Sequence, residues 1–122
     1  MKIAEIGFVV YPVTSLAKAR PFYEDVLGLK PTMVHEGNGR GWVEYDIGGG
    51  TLALGSGTNR FKPGSGGGCV ALEVENFDEA VAHLRTSGAT FTVEPTETPV
   101  CHLAGVSDPD GNTLIVHHRK PR

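Results

Sequence analysis

Apolar and polar positions along this chain follow two periods, and the periods alternate in a fixed order. Residues 2–13 are mostly apolar and β-branched (Ile3, Ile6, Val9, Val10, Val13), which is the pattern of a buried strand. Over 15–28, Leu16, Ala19, Phe22, Tyr23, Val26 and Leu27 share one helical stripe, with Thr14 or Ser15 as cap and Gly28 as a left-handed stop. Pro21 falls inside that helix, removes one backbone bond and is expected to bend it. Strands are predicted over 30–36, 41–47 and 50–54, with glycine clusters between them as in a meander. A glycine-rich linker occupies 55–68, and then the order restarts. A strand over 69–74 leads to a helix over 76–87 that carries Phe77, Ala80, Val81 and Leu84 on one face. Asn76 and Glu79 have capping-box spacing, and Gly88 ends the helix. Strands over 90–94, 100–107 and 112–118 finish the chain, the last two joined by the turn Asp108-Pro109-Asp110-Gly111.

The restart is a repeat. A shift of 61 places Phe8 on Cys69, Val13 on Val74, Leu16 on Phe77 and Ala19 on Ala80. A shift of 60 places Gly28 on Gly88, and a shift of 62 places Gly50-Thr51-Leu52-Ala53-Leu54 on Asn112-Thr113-Leu114-Ile115-Val116. Each half therefore reads strand–helix–strand–strand–strand. The expected fold class is α+β, with two repeated βαβββ modules forming curved mixed sheets. We expect one domain over 1–122, with module 1 at about 1–56 and module 2 at about 69–118.

Composition narrows the function classes. Glycine is in excess, at 17 of 122 residues, as a turn-rich, strand-rich fold requires. The formal net charge of −3 argues against nucleic acid as a partner. No apolar run is long enough to span a bilayer, and Met1-Lys2-Ile3-Ala4-Glu5 meets an acid too early for a signal peptide. Two cysteines, Cys69 and Cys101, are too few for a disulfide scaffold, so the cytoplasm is the expected compartment. Phosphate-loop, dinucleotide and nucleophile-elbow motifs are missing: 57–62 lacks the glycine before lysine, and 37–41 has no strand–turn–helix setting.

Two stretches carry a family resemblance. The first helix ends Phe22-Tyr23-Glu24-Asp25-Val26-Leu27-Gly28-Leu29, and the last turn and strand read Asp108-Pro109-Asp110-Gly111-Asn112-Thr113-Leu114-Ile115. With the repeat, they make the chain resemble, over nearly its whole length, the vicinal oxygen chelate superfamily. That group includes glyoxalase I, extradiol dioxygenases, bleomycin-binding proteins and fosfomycin-resistance enzymes. The resemblance implies the glyoxalase/bleomycin-resistance/dioxygenase fold, and one such fold hosts many reactions. It also implies four metal-ligand positions on the first and fourth strands of each half, which here hold Phe8, Ala53, Cys69 and Ile115. Three of these have no donor atom, so no metal and no other cofactor is expected.

Strand alternation then selects residues for the cup that such a sheet forms. Phe8 brings Val10 with it, Cys69 brings Ala71 and Glu73, and Ile115 brings Thr113 and His117. Val43, Tyr45 and Ile47 form an apolar row suited to the helix side, so Trp42, Glu44 and Asp46 point into the cup. Matching Asp46 with Asp108 places His102 at the rim, opposite Arg40. The expected ligand-binding residues are Phe8, Trp42, Ala53, Cys69, His102 and Ile115, with Glu44 and His117 as candidate catalytic groups; Trp42, Glu44, His102 and His117 are expected to share a cavity. His117 and His118 fall on opposite faces, as do Cys101 and His102, while His35 and His83 read as surface residues.

Three functions fit. The first is a module that binds a small organic ligand without a metal. The second is a metal-free lyase or isomerase using Glu44 or His117 as general base on an activated C–H bond. The third is a metal-dependent lyase or dioxygenase with ligands shifted to Glu44, Glu73, His102 and His117. A homodimer is the expected assembly, because a half-module leaves sheet edges and apolar surface in need of a partner.

Overall fold

A computed structural model of the chain describes residues 1–57 and 62–121. The expected linker at 55–68 and the loop at 57–62 fall partly, and Arg122 wholly, outside those residues. The chain divides into two compact units, Met1–Pro63 and Gly64–Arg122. No helix among the described residues is long and apolar enough to cross a membrane.

In the first unit the elements run β1 (Val9–Pro12), α1 (Leu16–Pro21), a π-helical turn (Phe22–Val26), β2 (Pro31–Gly37), β3 (Arg40–Ile47) and β4 (Gly50–Ser56). The sheet order is β1-β4-β3-β2, with β1 parallel to β4 and the other pairs antiparallel. The second unit repeats this with β5 (Val70–Glu73), α2 (Phe77–Thr86), β6 (Thr90–Glu97), β7 (Cys101–Ser107) and β8 (Thr113–Arg119), in the order β5-β8-β7-β6. Both sheets are mixed, and the βαβββ repeat read from the sequence is the architecture of each unit.

Each sheet buries one face against its helix. Val43, Tyr45 and Leu54 are fully buried on the helix side of the first sheet, where Tyr23 stacks on Tyr45 at 6.0 Å between ring centres. At Gly41 the helix comes so close that a Cβ would lie 2.5 Å from the Leu16 side chain. In the second unit Ala104, Val106, Leu114 and Val116 take these places, with Phe77 and Leu84 from α2. Ser15 caps α1 through the Lys18 N–H, and Asn76 caps α2 through the Glu79 N–H.

Three boundaries differ from expectation, each for a physical reason. The first strand begins at Val9 rather than residue 2, because its partner β4 starts at Gly50 and Val9 already faces Leu52. Ile3 and Ile6 are left 81% and 77% exposed. The first helix turns π-helical after Pro21, with Leu27 N–H donating to the Phe22 carbonyl, since Pro21 cannot supply its rung of the ladder. Strand β6 runs through Pro95 to Glu97, because it is the edge of its sheet and a missing N–H there breaks no interior rung.

The last turn explains its own sequence. Asp108 Oδ1 accepts from the Asp110 and Asn112 N–H groups, while Asn112 Nδ2 donates to Asp108 Oδ2. Asn112 Oδ1 in turn accepts from the Gly64 N–H, which ties the start of the second unit to this hairpin.

Candidate functional site

The two-residue turn Asn38–Gly39 fixes the register of the first sheet's outer strands. Both residues have positive φ (54° and 75°), as a tight hairpin turn of this hand needs. Gly37 thereby faces Arg40, and His35 faces Trp42. Across the sheet Trp42 faces Gly55, Glu44 faces Ala53, and Ala53 faces Val10. Alternation therefore puts His35, Arg40, Trp42, Glu44, Ala53 and Val10 on the face away from the helix. The expected split of β3, with Val43 and Tyr45 toward the helix and Trp42 and Glu44 away, matches the register and the burial.

This face carries a cavity of about 770 Å³. Phe8, Val10, Pro12 and Trp42 give it an apolar wall, with His35, Asn38 and Arg40 at the hairpin end. Phe8 meets Trp42 edge to face, with ring centres 5.7 Å apart at 86°. The indole also lies beside Gly55, where an added Cβ would sit 3.5 Å from the ring. Its Nε1–H donates to Glu44 Oε2 at 2.7 Å, so the indole plane is held from both its edge and its polar end. Glu44 is thus engaged with Trp42 and is not part of the cavity wall, nor is the buried Ala53.

In the second unit the corresponding face carries Ala71, Glu73, Ile115 and His117, as Ala71 pairs with Ile115 and Glu73 with His117. His117 Nδ1 lies 2.5 Å from Glu73 Oε1, and the Arg119 N–H donates to Glu73 Oε2 at 2.7 Å. These bonds, the Arg119 N–H first and the imidazole second, hold the Glu73 carboxyl below the usual carboxylate range. A hollow of about 600 Å³ lies beside it, lined by Val100, Cys101, His117, Arg119 and Lys120. Lys120 is paired with Glu97, and Cys101 Sγ is in hydrogen-bond contact with the Thr98 hydroxyl. His118 turns to the other face and meets the Val74 carbonyl, so the two neighbouring histidines are separated as expected. Cys69 is exposed and immediately precedes β5.

His102 requires a correction. It pairs with His118, on the helix side, and its ring packs 5.4 Å from that of Phe77. It therefore does not share a face with His117, and the expectation of a cavity lined by both is overturned. The reason is register. The turn from β3 to β4 contains two residues, Gly48 and Gly49, whereas that from β7 to β8 spans 108–112. The repeat offset therefore changes by one across the hairpin: His102 corresponds to Gly41, not Arg40, and a one-residue slip reverses the face. His35 is exposed, in keeping with the surface reading, and it also lines the first cavity.

The four family ligand positions do not fit a metal. Phe8 is an aromatic wall, Ala53 and Ile115 have no donor, and Cys69 stands alone. Among the described residues no three His, Cys, Asp or Glu side chains group closely enough to hold an ion. Of the shifted set Glu44, Glu73, His102 and His117, Glu73 and His117 meet, while His102 lies on the opposite face of their sheet.

The sequence profile of the Glyoxalase/Bleomycin resistance protein/Dioxygenase superfamily matches residues 5–116. No curated protein matches the chain. Among solved structures, the chain is similar to TnmS3, an antibiotic binding protein from Streptomyces sp. CB03234, at 27% identity and TM-score 0.84, covering 98% of this chain and 99% of that one. A glyoxalase/bleomycin resistance protein from the same organism is 28% identical, with TM-score 0.75 and coverage of 89% and 96%. A member of the same superfamily from Sphaerobacter thermophilus DSM 20745 is 26% identical, with TM-score 0.76 and coverage of 95% and 98%.

Proposed function

The chain belongs to the glyoxalase/bleomycin resistance protein/dioxygenase superfamily, and from that premise we propose that it binds a small organic ligand, without a metal, in the cavity walled by Phe8 and Trp42. One observation carries the reading: a cavity of about 770 Å³ whose aromatic wall is fixed in place by Glu44 and Phe8. Few polar groups converging on an apolar wall is how small-molecule sites are built. The similarity to an antibiotic binding protein supports the same class of ligand. Calorimetric titration with 2-naphthamide, a neutral flat aromatic of the size the cavity admits, tests it. Saturable binding is the expected result, and its absence overturns the proposal.

The metal-free part follows from the missing donors at Phe8, Ala53 and Ile115. Protein purified without added metal and without a histidine tag is expected to hold less than about a tenth of a divalent ion per chain by elemental analysis. Near-stoichiometric zinc, nickel, manganese or iron would overturn it.

A second, enzymatic reading rests on the Glu73–His117 pair. A carboxylate that fixes Nδ1 leaves Nε2 to act as general base on an activated C–H bond, which is lyase or isomerase chemistry. Turnover that His117→Gln abolishes while binding persists would favour this reading; binding with no turnover favours the binder. We further propose a cytoplasmic homodimer, in keeping with two free thiols and with the exposed Ile3 and Ile6, apolar area that a second chain would cover. Light scattering at micromolar concentration is expected to give twice the chain's 12.9 kDa, and a persistent single-chain mass would sink the dimer.

A further inference from the structure

We infer that the ligand of the first unit's cavity carries an anionic group, a carboxylate on a flat apolar body, with the carboxylate at the hairpin end against Arg40 and His35. The inference rests on the proposed binding site and adds the ligand's charge and its orientation.

Three observations support it. No Asp or Glu is among the residues lining the cavity, whereas Arg40 and His35 both are. Arg40 shares the Trp42 face by alternation, and it enters no ion pair among the described residues. Three other cations are paired, Arg20 with Glu24, Arg85 with Glu94 and Lys120 with Glu97, but none of these lines the cavity. The acids on the same face of β3, Glu44 and Asp46, lie four and six residues beyond Arg40, and are engaged by the indole N–H and the Thr51 hydroxyl respectively. The face is therefore polarised, with a cation at the hairpin end, the ring of Trp42 in the middle and carboxylates beyond it. A ligand whose body lies along Phe8 and Trp42 meets donors only at the Arg40 end. A guanidinium with a planar fork is suited to a carboxylate there, and the exposed His35 ring adds a second donor. Asn38, held with positive φ at the turn, contributes an amide to the same end.

Calorimetry with two isosteric probes, 2-naphthoate and 2-naphthamide, separates this inference from the reading beneath it. At low ionic strength the wild-type protein is expected to bind the naphthoate about fivefold more tightly, a modest ratio because Arg40 is exposed to water. Arg40→Gln is expected to bring the two affinities together, and Arg40→Lys to restore part of the gap. Equal affinities in the wild type, or a preference that survives Arg40→Gln, would overturn the anionic ligand and leave the aromatic cavity standing. Binding of neither probe would overturn both.

Discussion

Replacing Trp42 by alanine is expected to weaken 2-naphthamide binding about thirtyfold, roughly 2 kcal/mol, with the fold retained. The size of the effect follows from position. Trp42 is half-buried, in the middle of the wall, with Phe8 against it and Gly55 beside it. Removing the indole takes away the largest apolar surface that the ligand can cover, and it releases Phe8 from its edge-to-face contact. It also frees Glu44, whose Oε2 then faces the site without the indole N–H. A carboxylate introduced beside an apolar body opposes binding further. Trp42→Phe keeps a ring but loses the Glu44 bond, so an intermediate loss is expected. A Trp42→Ala protein with unchanged thermal unfolding and less than a twofold loss of affinity would show that the ligand does not lie on this wall.

The largest effect on stability is expected at Tyr45. Tyr45→Ala should lower the unfolding free energy by about 4 kcal/mol, in the range of a fully buried aromatic truncated to alanine. The side chain is fully buried between the sheet and the first helix, stacked on Tyr23, and its hydroxyl donates to Glu24 Oε2 at 2.9 Å. Glu24 completes the set by accepting from Arg20 Nε at 2.6 Å. Tyr45→Phe removes only the hydroxyl and should cost about 1 kcal/mol. The network also sets a pH dependence. The bond from Arg20, aided by that from Tyr45 and opposed by burial, holds the Glu24 carboxyl below its ordinary value, while burial and then the Glu24 bond raise the Tyr45 phenol. A carboxyl lowered on folding contributes stability that is present above its unfolded value and lost as pH falls through the folded one. The difference in urea midpoint between wild type and Glu24→Gln should therefore be largest near neutrality and shrink in acid. A gap that widens in acid, or a Tyr45→Ala protein within about 1 kcal/mol of wild type, would contradict this account.

Much of this arrangement was legible from the residues, because alternation is a local property. Gly41-Trp42-Val43-Glu44-Tyr45 separates the helix side from the ligand side without knowledge of any partner strand, and the structure divides them in that way. The repeat was legible for the same reason, since helix stops and strand lengths recur. Register between strands is different, since it depends on turn length. The β4-to-β8 offset does not carry over to β7, because the turn at 108–112 is longer, so His102 lies on the face opposite to the one that offset predicts. The place of His35 opposite Trp42 does have a local signal: Asn38-Gly39 is a two-residue hairpin sequence, and counting back from it pairs His35 with Trp42. The contact of Glu73 with His117 was out of reach, because a parallel pair is set by a crossover through a whole module. Alternation could assign both to one face but could not make them neighbours.

The central claim is that a small ligand lies on the Trp42 face of the first unit, and amide NMR during titration tests it most directly. Trp42 is the chain's single tryptophan, so its indole N–H gives one side-chain signal, and that proton sits between the ring wall and Glu44. With 2-naphthamide, the account predicts saturable shifts of this signal together with the amides of Val10, His35 and Gly55. Saturable shifts confined to residues around Cys101 and His117, with the indole signal unmoved, would contradict it and transfer the site to the second unit.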